Sequence, residues 1–298
     1  MKVIILGADG QLGTNLTSLL KTKYQVFFYN KRQLNLLNKP ELVRVISNIS
    51  PNVIINAAAY TKVDLAEKEK DLVFKINFES VKDIAKLASD LGIYFIHYST
   101  DYVFDGEKKS PYVESDQPNP INIYGQSKLL GEESIASLKC NYLIFRTSWN
   151  VGIYGNNFVK SIINLAKNKN EIGVVVDQRG VPTTTSFIAR VTLEAIDALQ
   201  KKMPWSSGIY HLTPSGLTNW YEMSKLVLIS ANKNNLKLKT NIKNLFPILS
   251  ANYDTVALRP KNSLLNSKKL SKKLTFKIPN WKDDFIETVN KIILTNVK

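Results

Sequence analysis

Tyr124 and Lys128 stand four residues apart in NPINIYGQSKLLGEE, residues 119–133. On a helix that spacing puts both side chains on one face, one turn apart. A lysine so placed can favour a neighbouring phenolate, and a phenol so tuned can exchange a proton near neutral pH. The same spacing also arises by chance as two solvated side chains, so the neighbourhood has to decide between them. Other polar groups follow apolar runs. HYSTDYVFDG (97–106) carries Ser99, Thr100 and Asp101, and FRTSWN (145–150) carries Thr147, Ser148 and Trp149. A hydroxyl such as that of Thr100 can hydrogen-bond an oxygen on which negative charge develops. It can equally serve as a turn or helix cap.

A second constellation lies at the start of the chain. The apolar run 3–6 leads into GADGQLG, with Gly7, Gly10 and Gly13 spaced by three. Glycine lets a backbone come close to a pyrophosphate, and the helix that follows aims free N–H groups and a partial positive charge at it. Where a carboxylate after the second strand would hold an adenosine ribose, the sequence has Asn30, then Lys31 and Arg32. Nothing there repels a 2′-phosphate and two cations stand ready to pair with it, which favours NADPH, with NADH possible. As surface charges the two would need no such role. The third apolar run ends in NAAAY (56–60), where small residues such as Ala58 leave room for a ring or a sugar, or for close helix packing.

Elements that position these groups can be read from periodicity. Strands are expected at 3–6, 25–29, 53–56, 93–97 and 142–145, with helices at 14–21, 41–49 and 74–91 between them. This alternation predicts an α/β fold: a Rossmann-type doubly wound parallel sheet whose ligands sit at the carboxyl ends of the strands. Beyond about residue 150 the alternation loosens, with strands expected at 172–176 and 208–212 and helices at 187–199, 219–230 and 281–294. Residues 231–280 give no firm pattern. We therefore expect a dinucleotide-binding domain over 1–150, joined by some later segments, and a smaller α/β substrate domain mainly over 151–298.

Composition excludes several classes. The chain has 298 residues, 44% of them hydrophobic, enough for a large core. No apolar run approaches a membrane span, and the short N-terminal run MKVIIL does not read as a secretory signal, so a cytoplasmic protein is expected. One cysteine, Cys140, and two distant histidines, His97 and His211, make neither a disulfide nor a metal site. The net charge of +15 comes from dispersed lysines. The densest cluster, NSKKLSKKL (266–274), has no aromatic residues to stack on bases, so nucleic acid is not an expected partner. A positive surface still suits a phosphate-bearing ligand.

GADGQLG, NAAAYTKVD, HYSTDYVFDG, YGQSK, FRTSW, DQRGVPT and RPKNSLL occur in that order over nearly the whole chain. Together they resemble the extended short-chain dehydrogenase/reductases and, within them, the dTDP-4-dehydrorhamnose reductase family. The resemblance implies NADPH-dependent reduction of the C4 ketone of a nucleotide-linked 6-deoxy sugar, with Thr100, Tyr124 and Lys128 catalytic. It implies that Gly10, Gln11, Leu12, Asn30, Asn35, Leu36, Ala59, Tyr60 and Thr61 hold the nicotinamide cofactor, and we count Gly7, Gly13, Lys31, Arg32, Ala58, Tyr98, Tyr124 and Lys128 with them. It places Thr100, Asp101, Tyr102 and Trp149 near the sugar. Arg179 and Arg259 are candidates for the substrate phosphates because a guanidinium fork suits them. Some relatives form a magnesium-bridged dimer through acidic residues, one of them early in the first helix. Asn15 stands at that position here, so no metal ligand is assigned, magnesium is left open and either a monomer or a homodimer is expected. Other readings are a reductase or epimerase-reductase for another nucleotide sugar, such as a UDP sugar, and an NADP-binding regulatory subunit like that of methionine adenosyltransferase. The intact Thr100, Tyr124 and Lys128 set argues against a pure binding module.

Overall fold

The computed structural model describes residues 1–138 and 140–296. Strand and helix alternate from the start: β1 (Lys2–Leu6), α1 (Gln11–Leu20), β2 (Gln25–Tyr29), α2 (Lys39–Ile49) and β3 (Val53–Asn56). Short helices α3 (Val63–Ala66) and α4 (Lys70–Phe74) lead through a π turn, Lys75–Glu79, into α5 (Ser80–Asp90). Then come β4 (Tyr94–Thr100), α6 (Ile123–Ala136) and β5 (Tyr142–Thr147). The second half holds β6 (Asn150–Val151), α7 (Phe158–Asn168), β7 (Ile172–Val175), β8 (Arg179–Gly180), β9 (Thr183–Thr184) and α8 (Thr185–Gln200). It closes with β10 (Gly208–His211), β11 (Thr218–Asn219), α9 (Trp220–Lys233), β12 (Leu245–Ile248), α10 (Lys268–Ser271) and α11 (Trp281–Asn296).

Six strands form one parallel sheet in the order β10-β5-β4-β3-β1-β2. The chain runs outward from β1 to β2, then returns to β3 on the other side, so the switch point lies between β1 and β3, where such sheets bind ligands. Val3, Ile4, Ile5 and Leu6 are fully buried because helices cover both faces. On one face α1 and α8 pack over Val3, Ile5, Ile55, Ile96 and Tyr98. On the other, α2, α5 and α6 cover Ile4, Leu6, Ile54, Phe95 and Ile144.

A separate core gathers α7, β7, α9, β12 and α11 around Val159, Ile163, Val227, Leu228, Phe285 and Val289. Here β7 pairs with β12, which comes from the stretch without a clear sequence pattern. Strand β10 crosses back to the main sheet beside β5. The strands expected to end at 97 and 145 run on to Thr100 and Thr147. Their ladder pairs Ser99 with Arg146 and Thr100 with Thr147, so backbone pairing carries polar residues to the sheet edge that periodicity alone would leave in a loop. No described helix is long and apolar enough to cross a membrane.

Candidate active site

Gly7 follows β1 at φ 79°, a left-handed value that favours glycine, and a Cβ there would meet the Ala58 backbone at 2.7 Å. A Cβ at Gly13 would meet the Gly7 carbonyl at 2.1 Å, so the loop and α1 can close together only with hydrogen at that position. Gly10 is the N-cap of α1 and no side chain caps the helix, so its first amides point out of the sheet edge unpartnered by any cap. A cavity opens there, lined by Gly7, Asp9, Gly10, Asn30, Lys31, Asn35, Leu36, Ala58 and Ala59 among others. Small walls, uncapped amides and a flanking lysine fit a dinucleotide.

Not every expected cofactor contact faces this cavity. The Gln11 side chain is used elsewhere: Oε1 accepts from Gly152 N (3.1 Å) and Asn157 Nδ2 (3.0 Å), tying α1 to the second half. Leu12 packs into the core, leaving its backbone amide for a ligand. Asn30 Oδ1 accepts from the amides of Arg32 and Gln33 and so shapes the turn that presents Lys31. Arg32 is exposed and does not line the cavity. Tyr60 and Thr61 lie beyond the lining residues. Tyr60 is fixed instead by Asn77, whose side chain bonds its amide and carbonyl (2.8 and 3.0 Å) and Ser127 Oγ (3.0 Å). Tyr98 faces the site through its backbone. Strand alternation turns its ring to the α8 side, where its hydroxyl meets Thr192 at 2.7 Å, and only its carbonyl faces the site.

The expected reactive residues come together at the carboxyl end of β4. Tyr124 and Lys128 lie on α6, which Asn122 caps by accepting from Gly125 N (2.8 Å). Gly125 is required, since a Cβ there would meet the Tyr102 carbonyl at 2.1 Å. The Tyr124 hydroxyl lies beside the Thr100 side chain. Thr100 Oγ1 donates to Asp101 Oδ1 (3.0 Å) and accepts from Tyr102 N (3.1 Å). The rings of Tyr102 and Tyr124 meet edge to face at 5.7 Å. Asp101 Oδ2 and Ser99 Oγ are buried without a partner.

The electrostatics differ from the simple expectation for the pair. Burial raises the Tyr124 phenol above the usual tyrosine range. Thr100 draws it down and Asp101 pushes it up, but Lys128 is not among the groups that move it. The Lys128 amine instead meets the Tyr98 carbonyl (2.7 Å) and His97 Nε2 (3.1 Å). Burial lowers Lys128 to about 8 against the opposing pull of Glu132. Asp101 rises to about 6 because it is buried. His97 and Asn56 open two of the quoted motifs, HYSTDYVFDG and NAAAY, but the sequence assigns neither of them a role. Their position after β-strand apolar runs was the available signal.

Around this centre the second half contributes a frame. Trp149 adopts φ 46° and stacks on Trp220 at 3.8 Å, over Gly180, whose missing side chain makes room for the indole. Arg259 pairs with Asp64 at 2.7 Å, and Asn122 Nδ2 donates to the Leu258 carbonyl at 2.8 Å. These contacts hold 257–263 across the site. Arg179 joins the same ribbon through backbone bonds to Lys261 and Ser263, while its exposed guanidinium bonds the Lys109 carbonyl at 3.1 Å. Asn15 bonds Thr185 Oγ1 at 2.7 Å and ties α1 to α8.

A parallel doubly wound sheet, a glycine turn at its switch point and a Tyr-x-x-x-Lys helix beside a strand-end threonine define the extended short-chain dehydrogenase/reductase class. The family model described as RmlD substrate binding domain matches residues 1–293, and the chain belongs to that family. It is 37% identical over 299 residues to the dTDP-4-dehydrorhamnose reductase of Escherichia coli K12, covering 99% of each chain. Its fold matches a dTDP-4-dehydrorhamnose reductase from Clostridium acetobutylicum with TM-score 0.88 and 35% identity over all of both chains. It also matches one from Bacillus anthracis in complex with NADP, with TM-score 0.86 and 36% identity over 99% of each chain.

Proposed function

We propose that the chain reduces the C4 ketone of dTDP-4-dehydro-6-deoxy-L-mannose (dTDP-4-dehydrorhamnose) to the hydroxyl of dTDP-L-rhamnose, using NADPH. The observation that carries this reading is the convergence of Thr100, Tyr124 and Lys128 at one strand end, in a chain aligned end to end with reductases of that name. When bound, the reduced nicotinamide supplies the hydride. The chain supplies the proton and the geometry. Tyr124, held high by burial, is fully protonated at neutral pH, as an acid must be in the reductive direction. Thr100 stabilises the oxygen as charge builds on it. Lys128 is one turn away, placed to favour the phenolate left behind.

Gly7, Gly10 and Gly13 and the uncapped start of α1 support a pyrophosphate-binding role, and Lys31 a contact to a 2′-phosphate. Asp101, Tyr102 and Trp149 are proposed to border the sugar, and Arg259 and Arg179 to face the substrate phosphates. In this division residues 1–150, joined by β10 and α8, hold the cofactor, and 151–298 mainly hold the substrate. The test is to follow nicotinamide absorbance with NADPH or NADH and with dTDP- or UDP-linked 4-keto sugar. Oxidation with NADPH and the dTDP sugar is expected. Oxidation with the UDP sugar alone would retain the chemistry and replace the substrate.

A further inference from the structure

Gln11 belongs to the glycine turn by sequence, yet its side-chain hydrogen bonds go to residues 152–157. Oε1 accepts from Gly152 N (3.1 Å) and Asn157 Nδ2 (3.0 Å), and Nε2 donates to the Asn156 carbonyl (3.0 Å). Asn157 Nδ2 also donates to the Gly152 carbonyl (2.7 Å), and its Oδ1 caps α7 by accepting from Lys160 N (3.2 Å). The loop thus closes around the Gln11 amide. Gly155, at φ 65°, makes room for it, since a Cβ there would meet Gln11 Cγ at 2.9 Å. One turn along α1, Asn15 bonds Thr185 Oγ1 at 2.7 Å, and a Cβ on Gly152 would lie 2.6 Å from that same oxygen. The first turns of α1 therefore grip the segment that begins at Gly152.

Gly152 follows Trp149 by three residues. The φ of 46° at Trp149 is unfavourable for a bulky side chain and persists only where the surroundings over-determine it. Before it, Ser148 Oγ donates to the Val181 carbonyl at 3.0 Å. Beside it, the indole stacks on Trp220, whose Nε1 donates to Gln178 Oε1 at 2.9 Å. After it, β6 pairs with β9 for two residues and then meets Gly152, whose N–H rests on Gln11. Without that oxygen, Gly152 N–H and the Asn157 amide lose their shared acceptor. We propose that Gln11 is a positioning residue for the nucleotide sugar. Its side chain fixes the strained backbone of Trp149 from the far end of β6, while only its backbone amide serves the cofactor. A residue of the dinucleotide turn thereby governs the substrate half. The effect on substrate rests on the proposed reading that Trp149 borders the sugar, but the hold on Trp149 does not.

Gln11→Met tests this, because it keeps the length and helix propensity of the side chain and removes its hydrogen bonds. KM for the nucleotide sugar should rise roughly tenfold, while Kd for NADPH, followed by its fluorescence, stays within about twofold. In a Trp149→Ala background the same substitution should add no more than about twofold, because the residue through which it acts is gone. A third readout needs no substrate. Stacked indoles couple as an exciton pair in the circular dichroism spectrum, and loss of the couplet in Trp220→Phe identifies the signal of Trp149 and Trp220. That couplet should weaken in Gln11→Met. A Kd for NADPH raised as much as KM for the sugar would show a general structural role and overturn the proposal. So would an unmoved KM for the sugar, full additivity with Trp149→Ala, or an unchanged couplet. A wild type that turns over no nucleotide sugar would instead count against the reductase reading, and the couplet in Gln11→Met would still decide this one.

Discussion

Arg146 of β5 grips Glu132 of α6 through Nε and Nη2, at 3.0, 3.1 and 2.6 Å, with both side chains 2% exposed. Glu132 lies two turns beyond Tyr124 and one beyond Lys128 on the same helix. The buried ion pair therefore clamps the reactive face of α6 onto the sheet.

Breaking that clamp from one side leaves an uncompensated buried charge. Arg146→Met is expected to destabilise the fold by about 3–5 kcal/mol. The double variant Arg146→Met with Glu132→Leu should recover most of that loss. Urea denaturation of the three proteins checks both statements.

Asp101 makes stability depend on pH in a definite direction. Its carboxyl rises from 3.8 to about 6 on folding because it is buried. Between those values the unfolded chain is ionised while the folded chain holds a proton, so stability falls as pH rises through this window and the cost is complete above about 6. Asp101→Asn should abolish this slope and raise stability at pH 7 by roughly 2–3 kcal/mol, while impairing turnover. Denaturation midpoints measured across the window decide it.

Lys31 is the cation lining the dinucleotide cavity, whereas Arg32 is exposed beyond the lining. Lys31→Glu should raise KM for NADPH roughly tenfold or more and leave KM for NADH within about twofold. Arg32→Ala should change the ratio less. Equal effects on both cofactors would remove Lys31 from 2′-phosphate recognition.

The Arg259 guanidinium is anchored by Asp64 and leaves Nε buried without a partner. Arg259→Lys loses the planar fork, so KM for the nucleotide sugar should rise roughly tenfold with KM for NADPH unchanged. Initial-rate kinetics with each substrate varied in turn gives the split.

The sheet and the trio at its edge were legible because each is a local signal. Apolar runs of 3–6, 53–56 and 93–97 announce covered strands, and Gly7, Gly10 and Gly13 announce the turn that follows. Contacts made only by the folded chain were not legible. Periodicity stopped β4 at 97, and backbone pairing with β5 carried it to Thr100. Strand β12 has no alternation of its own and exists because it pairs with β7. Tyr98 sits among site residues in the sequence, yet strand alternation sends its ring to the opposite face. His97, read as an isolated histidine, meets Asn56 and Lys128 only after three elements have packed. The partner chosen by Lys128 could not be read from a four-residue spacing either. That spacing fixes a shared helix face and says nothing of what β4 offers to it.

The central claim is that Tyr124 donates the proton for reduction of a nucleotide-linked ketone. It is tested most directly by following NADPH oxidation with dTDP-4-dehydro-6-deoxy-L-mannose in the wild type and in Tyr124→Phe, alongside NADPH affinity by fluorescence. The expected result is rapid oxidation by the wild type and a loss of roughly 10²–10⁴ in kcat for the variant, with cofactor affinity retained. Full turnover by Tyr124→Phe, or a wild type that binds NADPH tightly and never oxidises it with this sugar, would contradict the account.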